Sequence, residues 1–272
     1  MTYDENVLGF GISVNRNPTT CAICSVSSAF DIISLRAYLK ETRVSLNNES
    51  FTYFLPLYFG SHKERTLKYA EKALSIVCRD VSNGFDPQHV LDVLPRILVT
   101  TVIDIADQNI YFSHNNLKFF IYVLRLLNLF IEQYPDLMEI INDRLAIFME
   151  SEENRHKNTT PNLGVLLVYT LVSDTYTWQD IQEAYMFEQL DRQVLWLLKE
   201  IPQMQLNEFN EFDTMRAKAS FKVGKVGFRY CVIMSDLMKT LYDGEGTKQE
   251  QINQLLDDID NNAGSLSEDK EK

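Results

Sequence analysis

The apolar positions of this chain recur at helical spacing over most of its length. Residues 87–106, 114–133, 178–200 and 212–242 carry this pattern clearly, and a weaker one covers 247–259. The second of these segments is apolar on nearly all sides, which is typical of a helix surrounded by other helices. The pattern predicts a mainly α fold, either a multi-helix bundle or an α-solenoid-like array, with that segment in the core.

Prolines and capping residues predict where some of these helices begin or bend. Asp86-Pro87 and Thr160-Pro161 each place a capping side chain before a proline at the first helical position. Pro95 lies inside the first apolar pattern and removes a backbone donor, so we expect a bend or a division there.

A short β-hairpin is predicted at the N-terminus. Residues 9–14 and 21–27 suggest two strands, and the segment between them is rich in turn-forming residues. From Asp31 onward, Ile32, Leu35 and Leu39 recur at helical spacing and predict a helix.

A dense aromatic cluster follows the hairpin. It consists of Phe51, Tyr53, Phe54, Tyr58 and Phe59. Such a cluster could be an exposed docking surface, but core packing of a strand or short helix is the favoured interpretation, because buried aromatics supply much of a domain's burial energy.

The domain organisation follows from these elements. We predict a flexible N-terminus over 1–8, a single helical domain over 9–243 that includes the hairpin at 9–27, and an acidic, largely disordered tail over 244–272. The polar run at 150–158 is the clearest internal break and predicts a solvated loop.

Charge and targeting signals narrow the classes of partner. The net charge of -12 opposes binding to phosphate backbones, so nucleic acid is not expected as a partner. No apolar stretch reaches the ~20 residues of a membrane span, and the first residues lack a secretion signal. We therefore expect a cytoplasmic or nuclear protein without a membrane partner.

The cysteines and histidines predict no metal site. Cys21 and Cys24 form the one close pair, and the four histidines are scattered singly, whereas structural zinc sites need a second paired cluster. Free thiols are expected for a chain without an export signal. No cofactor is predicted.

A line of cations is the sharpest polar pattern. Lys218, Lys222, Lys225 and Arg229 are spaced four, three and four residues apart, which places them on one helix face. This basic face could receive an acidic protein partner, although an ordinary solvated face would have the same spacing.

A second, weaker group could bind an anion. Arg155, His156 and Lys157 precede the helix predicted at Pro161, where the positive helix end favours an anion. Arg192 is a further candidate cation. These side chains could equally cap helices or pair with carboxylates to hold neighbouring helices together.

No catalytic motif is recognisable in the chain. It lacks a phosphate-binding loop, a dinucleotide-binding glycine pattern and a nucleophile elbow. The residues therefore favour a non-catalytic interaction domain. A general α-helical scaffold and an enzyme with a pocket between helices remain the alternatives.

Four segments carry a resemblance to a known family: residues 50–58 (SFTYFLPLY), 85–95 (FDPQHVLDVLP), 155–164 (RHKNTTPNLG) and 191–196 (DRQVLW). They resemble a helical region of large ubiquitin-conjugating-enzyme-like proteins of protists, over residues 8 to about 240. In that family, conjugation belongs to a separate fold with a His-Pro-Asn tripeptide ahead of a catalytic Cys, and this chain has no such tripeptide. The resemblance implies an accessory module in ubiquitin conjugation, with ubiquitin-pathway components as partners and no catalytic residue.

Overall fold

The structure, a computed structural model, describes residues 8–16, 23–26, 31–34, 53–58, 63–78, 84–108, 114–202, 210–242, 246–248 and 250–258. Over these residues the protein is mainly helical, which confirms the predicted fold class. The predictions made for the first seven residues, for Cys21 and for the tail after residue 258 lie outside the described residues.

The chain divides into two compact units. Unit 1 comprises residues 1–101, 112–137 and 244–272, and unit 2 comprises residues 102–111 and 138–243. The single domain expected over 9–243 stays a prediction.

The elements follow one another along the chain, first four strands and then helices. The strands are β1 (Leu8–Arg16), β2 (Ile23–Val26), β3 (Asp31–Ser34) and β4 (Tyr53–Tyr58). The helices are α1 (Lys63–Cys78), α2 (Gln88–Gln108), α3 (His114–Gln133), α4 (Asp136–Glu150), α5 (Glu152–Arg155), α6 (Leu163–Val172), α7 (Trp178–Glu200) and α8 (Glu211–Tyr242).

Strand β1 is the centre of the sheet in unit 1. It pairs antiparallel with β2, β3 and β4, and the predicted hairpin is confirmed by the pairing of Val14 with Val26. Gly11 allows the close approach of β4, because a Cβ atom there would lie 2.2 Å from the ring of Phe54. The register shifts where Gly11 pairs with Pro56, whose nitrogen has no proton to donate.

The prediction of a helix from Asp31 is wrong over residues 31–34, whereas Leu35 and Leu39 lie outside the described residues. Residues 31–34 form β3, in which Ile32 pairs with Phe10 and Ile33 with Gly9. A short apolar run fits both periods, and here the pairing of β-branched residues with a distant strand decides the outcome.

The aromatic cluster contributes to the core, as favoured from the sequence. Tyr53–Tyr58 form β4, and Phe54 and Leu55 in this strand are completely buried. Phe51 and Phe59 lie outside the described residues. The prediction of core packing is confirmed for Phe54, the member of the cluster whose side chain is described.

Helix α3 is the core helix of unit 1. Its side chains from Phe119 to Leu124 are all buried, as the apolar pattern predicts. It packs against both α1 and β4. Near its end, Phe130 and the following Tyr134 pack their rings against Phe85 at centroid distances of 5.8 and 5.6 Å.

We predict that Tyr134 titrates late and in a manner that depends on Glu71. Burial, followed by the hydrogen bond that the Tyr134 hydroxyl donates to Glu71 at 2.8 Å, raises the pKa of Tyr134 to about 12. Because the pKa of Tyr134 is higher in the folded protein than in the unfolded chain, this group adds stability below pH 10. That contribution is lost as the pH rises from 10 toward 12. NMR of ¹³Cζ-labelled tyrosines will follow the titration, with Tyr134→Phe assigning the resonance. Glu71→Gln should lower this pKa, and an unchanged midpoint in that variant would contradict the assignment.

The predicted helix starts are partly confirmed. Asp86 accepts the N–H of Gln88 at 2.9 Å, and the helix continues through Pro95 without being divided. Thr160 does not cap α6. Instead, Asn162 accepts the N–H of Val165, and the Thr160 hydroxyl donates to the carbonyl of Asn154.

Two further segments refine the predicted organisation. The polar run at 150–158 contains the short helix α5, which Ser151 caps at its N-terminus. The weak helix expected at 247–259 is confirmed over 250–258. It starts with a capping box, because Thr247 donates to the Glu250 carboxylate while the Glu250 N–H donates back to the Thr247 hydroxyl.

Unit 2 is organised around α6. Residues from Leu166 to Val172 on this helix are all buried, and both α7 and α8 pack against it. The hydroxyl of Tyr230 on α8 donates to the carbonyl of Gly164 at 2.8 Å. Helices α7 and α8 also pack against each other and carry the surfaces described next.

Candidate partner-binding surface

The basic face predicted from the sequence lies on α8. Lys218, Lys222 and Lys225 are exposed on this helix, whereas Arg229 is half-buried. The structure therefore places all four cations on one helix, with the three lysines exposed and the arginine partly buried.

Two of these cations bind the last turn of α2. The guanidinium of Arg229 donates to the carbonyl of Ala106 at 3.0 Å, and Lys222 lies 3.8 Å from the carboxylate of Asp107. The last turn of α2 has no basic residue of its own, so these cations from α8 interact favourably with its negative end. Partial desolvation, and then the charge of Asp107, raise the pKa of Asp104 in the same turn.

Lys218 and Lys225 differ from the other two cations. Both are exposed, and neither forms an ion pair with any described residue. The part of the basic face that is available to a partner is therefore centred on these two lysines.

Arg192, a candidate for the anion site, instead holds unit 2 together. Its Nε atom pairs with the buried carboxylate of Glu188 at 2.6 Å. Its Nη2 atom donates to the carbonyls of Arg155 at 2.5 Å and Thr160 at 2.7 Å. These bonds fasten the segment between α5 and α6 to α7, and they engage three of the five N–H donors of the guanidinium.

The other three anion-site candidates lie in or beside that segment. Arg155 donates from Nε to the carbonyl of Phe148 at 3.1 Å, and its guanidinium lies over the Phe148 ring. His156 and Lys157 are exposed. The structure thus brings Arg155 and Arg192 close to each other through a backbone carbonyl, with each guanidinium engaged in protein contacts.

Helices α7 and α8 form an antiparallel pair. Arg216 pairs with Glu200 at 2.6 Å near one end of the pair, and Gln193 donates to the carbonyl of Ser220 at 3.3 Å further along. Toward the other end, Tyr185 lies close to Cys231. In each of these three contacts the two residue numbers add up to nearly the same total. This is expected when two helices run in opposite directions.

Gly224 and Gly227 lie in this contact and leave room for glutamine side chains. The sequence suggests that another backbone approaches them closely, since glycine weakens a helix. The structure corrects this expectation. A Cβ on Gly224 would lie 2.2 Å from the amide of Gln193, and one on Gly227 would lie 2.0 Å from the amide of Gln189.

The outer face of α7 carries an exposed apolar stripe. Phe187, Leu190, Val194 and Leu198 are spaced three, four and four residues apart, and Leu195 lies beside them. These five side chains are between 36% and 60% exposed. Large apolar residues at this density on one solvent-facing helix typically mark an interaction surface. We call these five residues the α7 stripe.

The α7 stripe is turned away from α8. Successive residues advance by about 100° around a helix, so Phe187 lies roughly 200° from Gln189, which contacts α8. Two exposed acidic residues share this face: Glu183 lies one turn before Phe187, and Asp191 lies between Phe187 and Leu195.

Sequence reasoning missed the α7 stripe. The helical spacing places Leu195 and Leu198 on the same helix as Ile181 and Tyr185, but the first two are exposed and the last two are buried. One signal could have indicated it: residues 194–198 are all apolar. Five consecutive residues go more than once around a helix, so they cannot all lie on one buried face.

Helix α8 has a mixed apolar and basic seam next to the lysines. Lys218, Phe221, Lys225, Phe228 and Val232 follow one another at alternating spacings of three and four residues, which keeps them on one face. Phe221 is 62% exposed and Val232 is 60% exposed, whereas Phe228 is half-buried. We call these five residues the α8 seam.

A thiol and two phenols that lie buried beneath these surfaces have raised pKa values. Cys231 is buried, and desolvation raises the pKa of its thiol to about 11, so the thiol stays protonated at neutral pH. Burial likewise raises the pKa values of Tyr185 and Tyr230 well above the usual range. Cys231 therefore lacks the thiolate that a nucleophile requires.

Two other kinds of site are absent from the described part of the chain. Its His, Cys, Asp and Glu side chains form no group of three or more that could hold a metal ion. Among its helices, none combines the length and the apolar character that crossing a bilayer requires.

Comparison with known proteins finds no matching family model, no matching curated protein and no matching solved structure. The resemblance of the four sequence segments to a ubiquitin-conjugation accessory region therefore stays a prediction.

Proposed function

We propose that this protein is a non-catalytic helical interaction module that binds a protein partner through the outer face of α7. The single observation that supports the proposal most is the exposure of the five apolar side chains of the α7 stripe. Fully burying an exposed Leu, Val or Phe side chain is worth roughly 1.5–3 kcal/mol, and these five are 36–60% exposed, so each can still gain about half of that in an interface.

The chemistry of α7 supports a protein partner over other ligands. The stripe is accompanied by Glu183 and Asp191, which repel phosphate groups of nucleic acids and anionic membrane surfaces. Large apolar and aromatic residues are typical of the centre of protein interfaces. An amphipathic partner helix is one established way to cover such a face.

The class of partner is proposed from the sequence resemblance alone. We propose components of ubiquitin conjugation as partners, with the protein acting as an accessory module. The absence of the His-Pro-Asn tripeptide from the chain is consistent with an accessory role.

The test is a pull-down in which two variants are compared with the wild-type protein by quantitative mass spectrometry. Leu190→Asp combined with Val194→Asp places charge in the α7 stripe, whereas Ile147→Asp changes a similarly exposed residue on α4. We expect specific partners to be lost with the first variant and retained with the second. Partners retained by both variants would contradict the proposal.

The same experiment tests the pathway. Enrichment of ubiquitin, conjugating enzymes or ligases by the wild type, with loss in the stripe variant, would support the ubiquitin link. If other proteins show this behaviour instead, the interaction module stands and the ubiquitin link falls. A third variant with Lys218→Glu and Lys225→Glu tests the available part of the basic face without disturbing Arg229, which holds α2.

A further inference from the structure

We infer that a second copy of this chain covers the α7 stripe, by packing its α8 seam against it. The inference deepens the proposed function and rests on it, because both assign the α7 stripe to protein binding. The observations that select a second copy are the matching length, spacing and charge of the two surfaces.

The two surfaces match in extent and spacing. At 1.5 Å per residue, the α7 stripe from Phe187 to Leu198 and the apolar part of the α8 seam from Phe221 to Val232 are each about 17 Å long. Both surfaces follow steps of three and four residues, which is the spacing that lets side chains of two helices interlock.

The charges of the two surfaces are opposite. Acidic residues, Glu183 and Asp191, accompany the α7 stripe, whereas Lys218 and Lys225 alternate with the apolar residues of the α8 seam. None of these four groups forms an ion pair with a described residue. Complementary charges at the rim of an interface favour the matching pair and disfavour pairing of like faces.

The two surfaces cannot meet within one copy. Helices α7 and α8 of the same chain already pack through Gln189 and Gln193 against Gly224 and Gly227. Because that contact occupies their inner sides, the α7 stripe can reach an α8 seam only on another molecule.

The first experiment measures the self-association of the full chain by sedimentation equilibrium. We expect the wild type to associate, and to associate more weakly as ionic strength rises, because the paired charges are exposed. Leu190→Asp with Val194→Asp should raise the dissociation constant by at least about 100-fold, because it replaces two interface aliphatic groups with charges. Ile147→Asp should leave the constant unchanged.

The decisive experiment is a charge exchange between the two surfaces. One variant carries Lys218→Glu and Lys225→Glu on α8, and the other carries Glu183→Lys and Asp191→Lys on α7. Each alone should associate at least about tenfold more weakly than the wild type, because like charges then face each other. An equimolar mixture of the two variants should regain association. The unchanged acidic α7 of the first variant meets the unchanged basic α8 of the second, and the altered acidic α8 of the first meets the altered basic α7 of the second.

Three outcomes would overturn the inference: a wild type that stays monomeric at its solubility limit, self-association that the α7 variant leaves intact, or a mixture that does not recover. These outcomes are distinguishable from failure of the proposed function. A monomeric protein that still loses a foreign partner in the α7 variant would refute the second copy and leave the interaction module standing.

Discussion

Replacing Arg192 with Ala should lower the free energy of unfolding of unit 2 by about 3 kcal/mol, the scale expected when one partner of a buried ion pair is removed. Glu188 is only 6% exposed and would be left with an unpaired charge. The carbonyls of Arg155 and Thr160 would lose their donor at the same time. The segment between α5 and α6 would then be less firmly held to α7.

Urea unfolding monitored by tryptophan fluorescence suits this measurement, because both tryptophans of the chain, Trp178 and Trp196, lie on α7. Arg216→Ala is the matched control on α8. Its ion pair with Glu200 is more exposed, so its loss should cost about 1 kcal/mol or less. Equal effects of the two substitutions would show that Arg192 does not hold unit 2 together.

Truncating two aromatic side chains on the same helix should have very different effects on the stability of unit 2. Tyr185 is 1% exposed and packs edge-on against Trp178 at 5.6 Å, so Tyr185→Ala should destabilise unit 2 by about 3–5 kcal/mol. Phe187 is 60% exposed, so Phe187→Ala should change stability by about 0.5 kcal/mol or less. A side chain kept at the surface for binding contributes little to folding.

Far-UV circular dichroism should follow this second comparison, because Tyr185→Ala also alters the surroundings of Trp178 and therefore its fluorescence. The same Phe187→Ala protein, at full stability, can then be used in the self-association measurement. A loss of stability in Phe187→Ala comparable to that of Tyr185→Ala would place Phe187 in the core and remove it from the α7 stripe.

Helices were the part of the fold that the sequence predicted well. The expected helix at 178–200 is observed as Trp178–Glu200, and the all-apolar segment at 114–133 is observed as the buried α3. Helical periodicity can be recognised within a short segment, because each helical turn is hydrogen-bonded to the turns next to it in the sequence. Strand β3 was missed because its four residues depend on pairing with β1.

The candidate sites show a different limit of sequence reasoning. Arg192 was a candidate for binding an anion and Arg229 for binding an acidic partner, but both guanidinium groups bind backbone carbonyls far away in the sequence, at Arg155 and Ala106 respectively. Such partners are set by tertiary packing and leave no local pattern. For the same reason, the sequence marks Val194 and Leu198 as apolar without indicating that α7 turns them to solvent.

The arrangement of the sheet has a consequence for the order in which unit 1 can form. Every strand pair described includes β1, and one of its contacts joins Ile12 to Leu55. During synthesis β1 leaves the ribosome before the other three strands, yet it stays without a complete set of partners until β4 has emerged. The four strands are therefore one cooperative unit, in which loss of β1 at the N-terminal end would release all of the described pairings together.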